Sequence, residues 1–167
     1  DGTVVPWHQD AQYWPLTPRR TVTVWLALTR VDAANGAMRV VSGSHIQGEF
    51  DHHTNPATNL VLDQEVAGDQ IDKDKVVILD LEPGQISLHD DGLLHGSLAN
   101  HSDRLRCGLT MRFCPTQVAC DLSVWPTFEA YLARGRDLHQ LNPNGPIPTG
   151  ESFPVRKFMH SSEFDFT

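Results

Sequence analysis

Cysteine is scarce in this 167-residue sequence: Cys107, Cys114 and Cys120 are an odd number, and no CxxC or Cys/His cluster joins them. No disulfide framework is indicated, and a reducing, cytoplasmic setting is the expectation. Long apolar runs are missing too. Those at 24–28 and 76–79 are the longest, far short of the ~20 residues a bilayer span requires. Basic charge is in deficit, with 13 Lys and Arg against 21 Asp and Glu and a net charge of -8. Such a surface repels phosphate backbones and anionic lipid, so neither a nucleic acid nor a membrane partner is expected. The start Asp1-Gly2-Thr3 lacks an initiator Met, a basic segment and an apolar h-region. No signal peptide is read there, and a fragment or an upstream start is expected. Internal repeats and low-complexity tracts are also absent.

What remains is an ordinary globular composition, 40% apolar and 20% charged, of a length that suits one domain over residues 1–167. A chain of this size can bury a sizeable core without a covalent staple. Histidine is the exception: there are nine, gathered near acidic residues and glycines.

Strand signals dominate. Residues 21–29 alternate, with Val22, Val24, Leu26 and Leu28 apolar. A turn at Asn35-Gly36 leads into 37–41, read as a hairpin arm or a neighbouring strand. Residues 46–75 are polar with little period and suit a long excursion over a site. Further strands are expected at 75–81, after the Pro83-Gly84 turn at 85–89, and at 104–114. In the last of these, Leu105, Cys107, Leu109, Met111 and Phe113 share one face, and Arg104, Arg106, Gly108, Thr110 and Arg112 share the other. The first set is expected to be buried, with Cys107 and Cys114 simply packed. The pattern leaves open whether Arg106 faces solvent or a polar interior. Beyond Pro115, residues 127–136 read as a short helix and the remainder of 116–167 as a wrapping loop. Short strands, Gly/Pro/Asn turns and a single late helix indicate an all-β fold, a sandwich, jelly roll or small barrel.

The local feature with most chemistry is Trp7-His8-Gln9-Asp10. On an extended segment residues two apart share a face, so His8 and Asp10 can reach one metal ion while Gln9 points away. His95, in Leu94-His95-Gly96-Ser97, is the candidate third ligand. Two histidines and a carboxylate with open positions form the facial triad of non-haem Fe(II) oxygenases. Arg106 carries the side chain that grips a carboxylate through paired hydrogen bonds. His45 reads as structural and His52-His53 as an exposed pair. His89, Asp90 and Asp91 crowd the approach to His95, either orienting a ligand from behind or forming a solvated turn.

Together these pieces resemble the phytanoyl-CoA dioxygenase-like family of Fe(II)/2-oxoglutarate oxygenases. The resemblance rests on 7–10, Tyr13-Trp14, 24–28, Asn35-Gly36, 42–45, Pro83-Gly84, 95–97, 100–102 and Arg106, in order over a core of about residues 3–115. It implies a double-stranded β-helix, a cupin-like jelly roll, here lacking the N-terminal elements that precede the motif in family members. It also implies Fe(II) bound by His8, Asp10 and His95, and 2-oxoglutarate held at its distal carboxylate by Arg106 and Ser97. Gln9, Tyr13 and Trp25 match pocket positions, although Trp25 also reads as core. The implied reaction uses O2, converts 2-oxoglutarate to succinate and CO2, and hydroxylates an unactivated C–H bond of a small-molecule substrate. The similar halogenases have a small residue in place of the carboxylate, so Asp10 favours hydroxylation. The alternative is a non-catalytic or hydrolytic metal-binding jelly roll, in which Arg106 has no role.

Overall fold

The computed structural model describes residues 3–146, and every regular element in them is a β-strand or a 3-10 turn. In chain order the strands are β1 (Val5–His8), β2 (Leu16–Thr17), β3 (Val22–Ala27), β4 (Met38–Val41), β5 (His52–Thr54) and β6 (Gln64–Val66). They continue with β7 (Val76–Ile78), β8 (Ile86–Asp90), β9 (His95–Ser97), β10 (Gly108–Phe113) and β11 (Ala119–Cys120). One sheet has the order β1-β9-β4-β7 and a second β10-β3-β8, with two small ribbons, β11-β2 and β5-β6. Pairing within the sheets is antiparallel. Side chains from both sheets line one cleft between them, which is the jelly-roll arrangement that the family resemblance implied and one of the three that the strand pattern left open.

The chain changes sheets between β3 and β4 through a reciprocal cap. The Asp32 carboxylate accepts from the Ala34 N–H at 2.9 Å, and the Asn35 side-chain oxygen accepts from the Asp32 N–H at 2.8 Å. Arg104 donates to both Asp32 carboxylate oxygens at 2.8 and 2.9 Å, tying this turn to the segment that leads into β10. Gly36 ends the turn at φ +80°, and a Cβ there would lie 2.7 Å from the Leu98 carbonyl oxygen. β4 therefore joins the other sheet, so it is neither a hairpin arm of β3 nor its neighbour, the two readings the sequence allowed.

The alternation in β3 and β10 is as read, but the apolar set at 105–113, expected to be buried, looks mostly outward, with Cys107 and Met111 half-buried. Thr23, Trp25 and Ala27 are buried, whereas Val22, Leu109 and Phe113 are exposed at 43%, 48% and 47%. Leu105 is exposed as well, and Cys114, expected to pack inside, is also exposed. Leu88 and Ile86 on β8 extend the same outward apolar face. A period of two says which residues share a face and nothing of which way that face points. Here the interior is the polar side, because it builds the cleft.

Apolar burial is spread over three clusters. Trp25, Ala27, Val31 and Ala37 pack together beneath the cleft. On the far side of the four-stranded sheet, Val66 and Ile71 of the 46–75 excursion pack on Val41 and Leu94, with Trp7 and Phe50 alongside. The excursion is thus a structured cover, holding the β5-β6 ribbon. The third cluster joins Leu16, Val118 and Cys120 with Trp14 and Phe128.

The helix expected at 127–136 is absent. Instead the Ala130 N–H donates to the Pro143 carbonyl and the Gly145 N–H to the Ala130 carbonyl, both at 2.8 Å. A helix of that length is marginal by itself, and tertiary pairing of its backbone wins. The rest of the wrapping-loop reading, from 147 onward, lies outside the described residues. Gly36→Ala combines a strained backbone with a backbone collision and should cost about 2 kcal/mol. A urea midpoint equal to wild type would contradict that account of the turn.

Candidate metal centre

β1 and β9 are antiparallel partners, and their register sets His8 directly opposite His95. The Nδ1 of His8 lies 2.9 Å from the Pro6 carbonyl oxygen, and that of His95 lies 2.9 Å from the Leu93 carbonyl oxygen. A carbonyl oxygen can only accept, so each Nδ1 carries the proton and each Nε2 presents a lone pair. Both lone pairs face Oδ1 of Asp10, at 3.7 Å from His8 and 3.8 Å from His95. The three ligand atoms lie within 4.8 Å of one another, and all three residues are buried.

Asp10 opens a 3-10 turn just past β1, which swings its carboxylate toward the second sheet. There a single cross-strand row awaits it: Arg112 on β10, Thr23 on β3 and His89 on β8 are register partners. The Thr23 hydroxyl donates to Oδ2 at 2.9 Å and Arg112 donates to Oδ1 at 3.3 Å. The Nε2 of His89 stands 3.7 Å from Oδ2. Burial alone drives the Asp10 pKa upward. The imidazoles of His8, His89 and His95 and the Arg112 guanidinium outweigh burial and hold the carboxyl well below the usual carboxylate range. Burial, reinforced by His8, pushes His95 down to about 3. At neutral pH the cluster therefore offers an ionised carboxylate and an unprotonated His95, the state that binds a divalent cation.

Behind the ligands, Gln9 is a clasp. Its side-chain amide donates to the carbonyls of Gly48 and Gly92 at 2.9 and 2.7 Å, and its side-chain oxygen accepts from the Phe50 N–H at 2.9 Å. It points away from the cleft, joining the metal segment to the excursion and to the turn before His95. Its own N–H donates to Nε2 of His52 at 3.2 Å, so His52 is half-buried and engaged, while His53 is exposed beside Glu65. Asp91 fixes the neighbouring turn, its carboxylate accepting from both the N–H and the hydroxyl of Thr21 at 3.0 Å.

The cleft in front of the ligands has a volume of about 420 Å³. Tyr13, Trp25, Ser97 and Arg106 line it together with His8, Asp10 and His95. Tyr13 stands edge-on to His8 at 5.9 Å and donates its hydroxyl to the Gln64 carbonyl at 2.9 Å. The Arg106 guanidinium stacks 5.4 Å from the Trp25 ring. Its buried Nε has no hydrogen-bond partner. A guanidinium desolvated in this way is costly unless an acceptor arrives from outside the chain. The polar-interior reading of Arg106 is the one observed.

The sequence reading brought His8, Asp10 and His95 together and missed the Thr23 support of the carboxylate. The signal was present in Thr21, Thr23 and Trp25, which share the odd-numbered face of β3. Arg112 was similarly readable, since it lies on the same face of its strand as Arg106.

Comparison with known proteins agrees with this geometry. Residues 1–108 match the phytanoyl-CoA dioxygenase (PhyH) family, and the chain belongs to that family of non-haem Fe/2-oxoglutarate oxygenases. A probable phytanoyl-CoA dioxygenase from Caenorhabditis elegans is 29% identical over 132 residues, covering 77% of this chain and 42% of that protein. The chain thus spans less than half the length of that relative. Among solved structures, the non-heme monooxygenase ThoJ in its Ni complex matches with a TM-score of 0.64 and 28% identity, over 90% of this chain and 51% of that one. The epimerase SnoN, solved with Fe3+, alpha ketoglutarate and nogalamycin RO, shares the fold at a TM-score of 0.59 and 21% identity, over 90% of this chain and 56% of its own.

Gly108 makes the Trp25 platform possible, because a Cβ there would lie 2.2 Å from the indole ring. Gly108→Ala should displace the ring and lower stability by about 1–3 kcal/mol. Urea unfolding followed by tryptophan emission measures both effects. Wild-type emission with a wild-type midpoint would show that the ring has room to spare.

Proposed function

We propose that this chain carries the catalytic centre of an Fe(II)- and 2-oxoglutarate-dependent dioxygenase that hydroxylates a small-molecule substrate. The observation that carries the reading is the pairing of two features in one cleft. Three buried ligand atoms converge on one point, and the half-buried Arg106, whose buried Nε has no partner among the described residues, lines the same space. The donor set fits Fe(II), since two imidazoles and one carboxylate leave open positions for a chelating cosubstrate and for O2. Arg106 fits the distal carboxylate of 2-oxoglutarate, with Ser97 as a second contact.

When bound, Fe(II) and 2-oxoglutarate would supply the oxidation, with O2 consumed, succinate and CO2 released, and a hydroxyl group placed on an unactivated C–H bond. The chain's own residues do the rest. The carbonyls of Pro6 and Leu93 fix the tautomers of His8 and His95, so that neither ring must reorganise to bind metal. Thr23 holds Oδ2 of Asp10, leaving Oδ1 toward the histidines. Trp25 presents a flat apolar wall to Arg106 and keeps water from its face, which strengthens the grip of the guanidinium on a carboxylate. Tyr13, Val61 and Leu62 line the cleft on the side of β1 and the excursion, where a substrate has access to the centre.

Anaerobic addition of Fe(II) and then 2-oxoglutarate should produce the visible charge-transfer band of the chelated complex. Asp10→Ala should abolish the band while leaving the chain folded, since the loss is of a ligand and not of core packing. Arg106→Ala should retain the band but weaken 2-oxoglutarate binding by about 2–3 kcal/mol, or roughly 30- to 150-fold. Metal binding by wild type without any band would refute the cosubstrate assignment and favour a hydrolytic metal site.

A further inference from the structure

Buried polar atoms without hydrogen-bond partners are rare, because each costs the free energy of its lost hydration. Two residues that line the cleft carry such atoms: Arg106 at Nε, and His89 at both Nδ1 and Nε2. The first is accounted for by a distal carboxylate. The second is not accounted for by anything above. The His89 side chain is only 3% exposed, its ring lies 4.6 Å from that of His95, and its contact with Oδ2 of Asp10, at 3.7 Å, is too long for a hydrogen bond. Nor does it complete the metal centre, since the ligand atoms that gather within 4.8 Å belong to His8, Asp10 and His95. His89 is therefore beside the ligands without being one of them.

The strands explain why the ring stays there. β8 pairs with β3 so that His89 faces inward next to Thr23, while Leu88 points to solvent. That register holds the ring against the wall of the cleft. A buried imidazole with no hydrogen-bond partner among the described residues keeps an N–H available to a bound molecule, and the molecule that would come closest to the ligand cluster is one that chelates a metal there.

We propose that His89 donates a hydrogen bond to the metal-bound carboxylate end of the 2-oxo acid, as Arg106 does to its far end. This rests on the function proposed above. It makes His89 a binding residue for the cosubstrate and gives the cleft one buried donor for each end of a dicarboxylate.

The test uses wild type, His89→Phe and His89→Asn, each titrated anaerobically. Metal affinity is first measured with Co(II) alone by its visible absorption, and 2-oxoglutarate affinity is then measured from the Fe(II) charge-transfer band. His89→Phe should bind Co(II) within about twofold of wild type, yet bind 2-oxoglutarate about tenfold more weakly and with a shifted band. His89→Asn keeps a donor and should recover part of the affinity. An unchanged 2-oxoglutarate affinity and band in His89→Phe would overturn the proposal. An equal loss of metal and cosubstrate binding in both variants would overturn it too, placing the role of His89 in Asp10 instead. If wild type itself forms no band, the oxygenase reading falls first and this inference with it.

Discussion

A carboxylate taken out of water must be surrounded by groups that replace the water, and Asp10 sets this requirement for the whole fold. Its answer comes from two sheets at once. The β1/β9 pair delivers His8 and His95 from one side, and the Arg112–Thr23–His89 row delivers a cation, a hydroxyl and an imidazole from the other. The second sheet supplies the hydrogen-bond donors to the charge, and the first supplies two lone pairs that would share a cation with it. The centre is therefore also the place where the two layers of the jelly roll are locked in register.

The same economy appears in how the histidines are oriented. His8, His52 and His95 each place Nδ1 2.9 Å from the carbonyl oxygen two residues earlier in the chain. An extended backbone puts that carbonyl within reach, so the strand conformation itself selects the tautomer. For His8 and His95 the result is a lone pair aimed at Asp10. For His52 it is a lone pair that accepts from Gln9, the residue between two metal ligands. Gln9 then ties that segment to Gly48, Phe50 and Gly92, so the excursion at 46–75 supports the centre from behind while covering the outer apolar cluster.

Much of this was legible in the sequence, for identifiable reasons. The period of two located β3, β8 and β10, and the His8-x-Asp10 spacing placed two ligands on one side of an extended segment. His95 and Arg106 followed from residue chemistry and from resemblance to a family. What could not be read was direction. Alternation is equally strong on either side of a strand, and the apolar set at 104–114 was assigned to the interior by default. The helix expected at 127–136 failed for a related reason, since its backbone finds partners at Pro143 and Gly145 that no local pattern announces. Gln9 shows the converse. The spacing turned its side chain away from the metal while the family resemblance placed it in the pocket; it does not line the cleft, and its three hydrogen bonds to distant loops belong to tertiary structure alone.

The outward apolar face has a bearing on how variation in this chain should be interpreted. On β3, β8 and β10 the apolar Val22, Ile86, Leu88, Leu109 and Phe113 look outward, while the polar Thr23 and His89 are buried beside Asp10. Hydropathy is then a poor guide to tolerance. A polar replacement at Leu88 or Leu109 removes little buried surface, whereas an apolar one at Thr23 strips a charged oxygen of a hydroxyl donor. In this half of the molecule, some residues that resemble a core, such as Leu88 and Leu109, are the expendable ones, and Thr23, which resembles a surface residue, is part of the keel.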